Sequence, residues 1–173
     1  DIPIRLARAR PECHVTAVDA APAMLSVAKG AIENAGLGER IALVLADAKD
    51  TRLPAAAFDL IFSNSIIHHV SDIAAFWLEV KRLASPGAQV FMRDLARPDS
   101  ESQARKIVAA YAATESTLLQ EEYFRSLLAA YTPEELRAQL DSAGLRYMQV
   151  AMSSDRHVDI YGKCEITANG GVA

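Results

Sequence analysis

Cysteine is scarce in this sequence. Cys13 and Cys164 are its only two among 173 residues, and no CxxC pair exists. That spacing offers neither a zinc ligand set nor a redox motif, and it predicts two reduced thiols in a cytoplasmic protein. No stretch approaches the ~20 apolar residues that a membrane helix requires. The N-terminus lacks a basic segment leading into an apolar run, so no secretion signal is expected there. Basic charge is also short: 18 Lys and Arg stand against 22 Asp and Glu, a net charge of -4. A nucleic-acid partner is therefore not expected, since the basic footprint is missing. Glycine is limited to eight residues. The one Gly-x-Gly, Gly36-Leu37-Gly38, follows a helical segment and reads as its stop, not as a nucleotide loop. No metal-ligand cluster or phosphate loop stands out.

What is present is the composition of one globular domain, 51% apolar and 23% charged. Helical and strand periods alternate through the first half. Helices are predicted over 2–10, 22–35 and, capped by Ser71, over the segment carrying Ile73, Phe76, Trp77, Val80 and Leu83. Strands are predicted over 14–19, 41–45, 58–64 and 89–94, with Ser85-Pro86-Gly87 as a turn and 41–45 as a buried strand. Residues 100–130 read as two helices broken near 114–117. Thr132-Pro133-Glu134-Glu135 reads as a capping box that starts another helix. Residues 147–152 and 157–164 then pair as an antiparallel hairpin. Apolar strands separated by amphipathic helices imply an α/β, doubly wound, mostly parallel sheet ending in that hairpin.

Ligands of such sheets bind beyond the carboxyl ends of the strands. The predicted strands end at Asp19, Asp47, Asn64 and Asp94. Asp19 suits a ribose diol and Asp47 an exocyclic amine, because each carboxylate accepts hydrogen bonds. His68 and His69 are the candidates for a general base, since imidazole titrates near neutral pH. Asp94 is expected to pair with Arg93 in preference to facing a substrate, and Trp77 to be core. Tyr111, Tyr123 and Tyr131 lie along the helical insert and are expected mainly to pack, with one of them free to reach a substrate.

The ordered set of motifs resembles the class I S-adenosylmethionine (SAM)-dependent methyltransferases over roughly residues 1–165. Val18-Asp19-Ala20-Ala21-Pro22-Ala23-Met24-Leu25 looks like their second-strand motif. Ala46-Asp47-Ala48, Leu53-Pro54 and Phe58-Asp59-Leu60-Ile61 resemble the next one. Ser63-Asn64-Ser65-Ile66-Ile67-His68-His69-Val70 is similar to the segment lining the methionine end. Leu83-Ala84-Ser85-Pro86-Gly87-Ala88 is similar to the approach to the fifth strand. The resemblance implies a Rossmann-like fold and S-adenosyl-L-methionine as cofactor. It also implies a cofactor set of Asp19, Ala20, Met24, Asp47, Ala48 and Asn64, with no metal, and transfer of a methyl group to a small-molecule nucleophile by proximity and in-line alignment. One departure stands out: the family's first strand and glycine-rich loop have no counterpart. The expected layout is thus a methyltransferase domain over 1–167, incomplete at its N-terminus, with a helical insert at about 100–131 and a disordered tail over 168–173. The first strand's absence should break the sheet between the Asp19 and Asn64 strands. Two other readings remain open: an NAD(P)-dependent oxidoreductase on a similar sheet, and a non-catalytic binding domain of the same fold.

Overall fold

The computed structural model describes residues 1–164, so the expected tail lies outside the described residues. The chain divides into two compact units, Asp1–Leu53 and Pro54–Ala173.

The first unit runs α1 (Ile2–Ala9), β1 (Val15–Asp19), α2 (Pro22–Asn34) and β2 (Ile41–Leu45). Each helix carries proline in its first turn, where the missing N–H would be unpaired anyway. Gly36, at φ +67°, ends α2: Leu37 N–H bonds to Ile32 and Gly36 N–H to Glu33. The Arg40 guanidinium gathers the carbonyls of Ala7, Arg10 and Cys13 at 2.6–2.8 Å, closing the end of α1. β1 and β2 pair in parallel, Val15 opposite Ile41 and Asp19 opposite Leu45. The core of this unit is small: Ala7, Val15, Ile32 and Ile41, with Ile4, Leu6, Leu37 and Leu43 against it. The expected burial of 41–45 is therefore corrected. Only Ile41 is buried, and Leu45 is 58% exposed, because a two-stranded sheet offers few neighbours to cover it.

The second unit holds β3 (Phe58–Asn64), a short 3-10 turn (Ile67–His69), α3 (Ile73–Leu83), β4 (Ala84–Leu95), α4 (Glu101–Tyr111), α5 (Thr117–Ala129), α6 (Pro133–Ser142), β5 (Gln149–Met152) and β6 (His157–Lys163). Its sheet has the order β3-β4-β6-β5. β3 and β4 are parallel, while β4–β6 and β6–β5 are antiparallel, which confirms the hairpin. The expected break is there: among the described residues no ladder joins β1 to β3. Two local expectations change. Asp72, not Ser71, caps α3 by accepting the Ala75 N–H. Ser85-Pro86-Gly87 is no turn but an irregularity inside the long β4, where the register with β3 shifts between Phe58 and Leu60. Gly87 supplies the positive φ of +84° there, and its N–H bonds to the Cys164 carbonyl. Phe76, Trp77, Val80 and Leu83 are buried on α3 as patterned. The insert helices α4 and α5 close on Leu95 at the end of β4 through Ala104, Ile107, Val108, Phe124 and Leu127.

Candidate functional site

In the first unit the parallel pair delivers Asp19 and Asp47 at its carboxyl end. Asp19 is half-buried and uses one oxygen, Oδ1, to accept the Ala21 N–H at 2.8 Å as α2 begins. Its other oxygen has no hydrogen-bond partner among the described residues. Asp47 turns through Lys49, whose N–H reaches Oδ1 at 2.9 Å and whose ammonium sits 3.0 Å from Oδ2. The Lys49 backbone N–H, then its side chain, hold the Asp47 carboxyl below its ordinary value. Between them lies Ala48, half-buried, whose backbone N–H makes no hydrogen bond among the described residues. Ala20 is exposed in the turn after Asp19, and Met24 is 57% exposed on the first turn of α2. Ala20 and Met24 leave apolar surface free beside the two carboxylates. Five of the six predicted cofactor residues thus share one end of this unit. A site with acceptors, one free donor and apolar surface matches the needs of an adenosine: a diol, an exocyclic amine and a flat ring.

The second unit carries Asn64, His68 and His69. Asn64 ends β3 exposed, donating to Ser65 Oγ at 3.2 Å. Ser65 then takes a left-handed conformation, φ +57°, and its N–H bonds to the Arg93 carbonyl at 2.8 Å. That conformation is costly for a residue with a Cβ, and it turns the chain from β3 into the 3-10 turn. His68 emerges with its side chain 4% exposed and its Nδ1 2.5 Å from Asp94 Oδ1. Asp94 also accepts the Ile67 N–H at 2.7 Å and the Leu95 N–H at 2.8 Å. The expected Asp94–Arg93 pair is corrected here. Consecutive strand residues point to opposite faces, so Arg93 leaves the Asp94 side and forks onto Asp159 of β6 at 2.6 and 2.7 Å. His69 is exposed, with its ring centroid 4.0 Å from that of His68. Partial desolvation of the ring, then the neighbouring His68, pushes the His69 imidazole below its ordinary value.

These histidines open onto a pocket of about 480 Å³ whose lining includes Ser65, Leu95, the insert residues Tyr111, Glu115, Leu119 and Tyr123, and Arg156 and His157. The Arg156 guanidinium lies over the Tyr111 ring, 3.3 Å from its centroid, and the Tyr111 hydroxyl donates to Asp155 at 3.0 Å. That carboxylate raises the Tyr111 phenol above its ordinary value. Tyr111 and Tyr123 reach the pocket, whereas Tyr131 meets Arg97 through its backbone carbonyl. Sequence reasoning missed the His68–Asp94 contact and the part played by Arg156 and His157. The available signal was a lone acid on the inward face of an otherwise apolar strand, one strand over from two histidines. Among the described residues no group of three or more His, Cys, Asp or Glu is placed to hold a metal ion. Cys13 and Cys164 are both free, and no described helix is long and apolar enough to cross a membrane.

Residues 2–92 match the model of a family described as a methyltransferase domain. The chain is 31% identical over 101 residues to ajmaline N-methyltransferase of Rauvolfia serpentina, a match covering 52% of this chain and 35% of that protein. It is 35% identical over 86 residues to malonyl-[acyl-carrier protein] O-methyltransferase of Serratia marcescens, covering 48% and 30%. The match therefore spans about a third of the length of these two relatives. A SAM-dependent methyltransferase structure from Aquifex aeolicus shares the fold, with a TM-score of 0.63 at 19% identity over 87% of this chain and 69% of that one.

Proposed function

From a chain that belongs to the methyltransferase domain family, we propose S-adenosylmethionine-dependent transfer of a methyl group to a small-molecule nucleophile. One observation carries this: at the ends of two adjacent parallel strands, the half-buried Asp19 keeps one oxygen, and Ala48 its backbone N–H, without a hydrogen-bond partner among the described residues. Asp19 would accept hydrogen bonds from the ribose hydroxyls. Asp47 would accept one from the adenine amine, and the Ala48 N–H would donate to a ring nitrogen. Ala20 and Met24 would flank the adenine, and Asn64 would serve the methionine end. When bound, the cofactor supplies a methyl group already activated by its sulfonium. The chain's own task is then alignment, which can supply much of the rate without a strong catalytic group. We treat residues 1–167 as one such domain; a cytoplasmic setting accords with the two free thiols. The oxidoreductase alternative is disfavoured by the family match, and the non-catalytic alternative is decided by binding and turnover.

The test is calorimetric titration of the protein with S-adenosylhomocysteine. A hydrogen bond to a charged acceptor contributes about 1.5–3 kcal/mol, so Asp19→Ala should weaken binding roughly 10–100-fold. Asp47→Asn, which keeps the shape but presents an amide to the adenine amine, should also weaken it while leaving the melting temperature unchanged. Unchanged affinity in both variants would remove these residues from the site.

A further inference from the structure

Asp94 is a fully buried carboxylate in β4, 2% exposed, and the binding assignments above give it no task. Two backbone N–H groups and one imidazole nitrogen converge on it. A carboxylate so surrounded only accepts, so the proton of the 2.5 Å contact belongs to His68 Nδ1. In the neutral ring the second nitrogen, Nε2, is then the one that carries the lone pair. It has no hydrogen-bond partner among the described residues, and the ring lines the 480 Å³ pocket. A base held in one tautomer by a buried acid, in a pocket large enough for a small aromatic molecule, is a recognisable catalytic arrangement.

The lining narrows what the pocket accepts. Arg156 and the imidazoles of His68, His69 and His157 face it, against Glu115 alone among acids; the nearby Asp155 is occupied by the Tyr111 hydroxyl. An ammonium acceptor would meet a guanidinium. A carboxylate acceptor has no proton to surrender at neutral pH, which would leave the base idle. Leu95, Leu119 and the Tyr111 and Tyr123 rings supply apolar and aromatic wall. We propose that this pocket is the acceptor site, that it takes a neutral hydroxyl compound of the phenol class, and that His68 is its general base with Asp94 as the positioning residue. This rests on the methyl-transfer function proposed above. In the step, Nε2 takes the hydroxyl proton as the oxygen lone pair closes on the methyl carbon. The electron pair of the broken carbon–sulfur bond stays on sulfur, and Asp94 stabilises the imidazolium that results.

The experiment is long-range 1H–15N NMR of the histidine rings in the full chain at pH 8, with p-cresol, benzylamine and benzoate as probes. The expected spectrum shows His68 protonated at Nδ1 and bare at Nε2. p-Cresol should move the Nε2 signal, and the amine and the carboxylate should not. Asp94→Asn should shift the ring toward the other tautomer. With SAM present, His68→Gln should lower the rate of p-cresol methylation about 10²–10⁴-fold at unchanged SAM affinity. A proton on Nε2 in the wild type, an Nε2 signal indifferent to p-cresol, or one moved equally by benzoate would overturn the proposal. Loss of SAM binding with p-cresol still moving Nε2 would instead overturn the cofactor assignment and leave the pocket as inferred.

Discussion

Arg93 and Asp94 are neighbours in the chain and look like an ion pair, yet strand alternation sends one to Asp159 and the other to His68. Which strand an acid faces depends on sheet order, and sheet order is not written in local periodicity. Asp19 and Asp47 were legible because their place depends only on where a strand ends. The histidines also set an acid limit on stability. Burial, then Arg156 and Arg93, hold the His157 imidazole below its ordinary 6.5, and partial desolvation with His68 does the same for His69. Groups lowered on folding bind protons more readily in the unfolded chain, so stability rises with pH through the window. Full stability is expected above about pH 6.5, with loss as the pH falls through the lowered values. Melting curves between pH 8 and 5 check this. The melting temperature should fall on the acid side, and His157→Gln should flatten that fall; a profile rising toward pH 5 would refute the assignment.

Elements were legible where a local rule stood alone. The Thr132-Pro133-Glu134-Glu135 signature gives α6 its full capping box, with Thr132 Oγ1 accepting the Glu135 N–H at 3.2 Å and Glu135 accepting the Thr132 N–H at 2.9 Å. Glu135 also pairs with Arg97. β3, the hairpin strands and the insert helices likewise fall within a few residues of their predicted bounds. β4 was misjudged because Ser-Pro-Gly is ordinarily a turn; here the chain keeps pairing through it, since Gly87 and Ala88 bond across to Cys164. Thr132→Ala removes one half of the box and frees a helix N–H. It should cost about 1 kcal/mol, read as a lower midpoint in urea with an unchanged slope. An unaltered midpoint would mean that the Arg97–Glu135 pair alone fixes this helix start.

At the scale of the molecule the two units differ in how much they bury. The first relies on a two-stranded sheet and four buried apolar residues, and a sheet of two strands is marginal on its own. The second buries Val90 and Met92 of β4, Val158 and Ile160 of β6 and Trp77 of α3. Amide exchange measured on the native chain should therefore be faster in β1 and β2 than in β4 and β6; equal protection would show that the chain opens as one cooperative unit. The strand order of the second unit has a further consequence, for synthesis on the ribosome. β4 takes β3 on one side at once, but its other neighbour is β6, which leaves the tunnel only after three helices and β5. During translation that flank of β4 waits with its hydrogen-bonding groups unpaired, and the seat between β4 and β5 must stay open for the last strand to enter. The nascent chain thus passes through a stage in which its central strand is a raw edge, the stage at which holding chaperones and neighbouring polysomes compete for it.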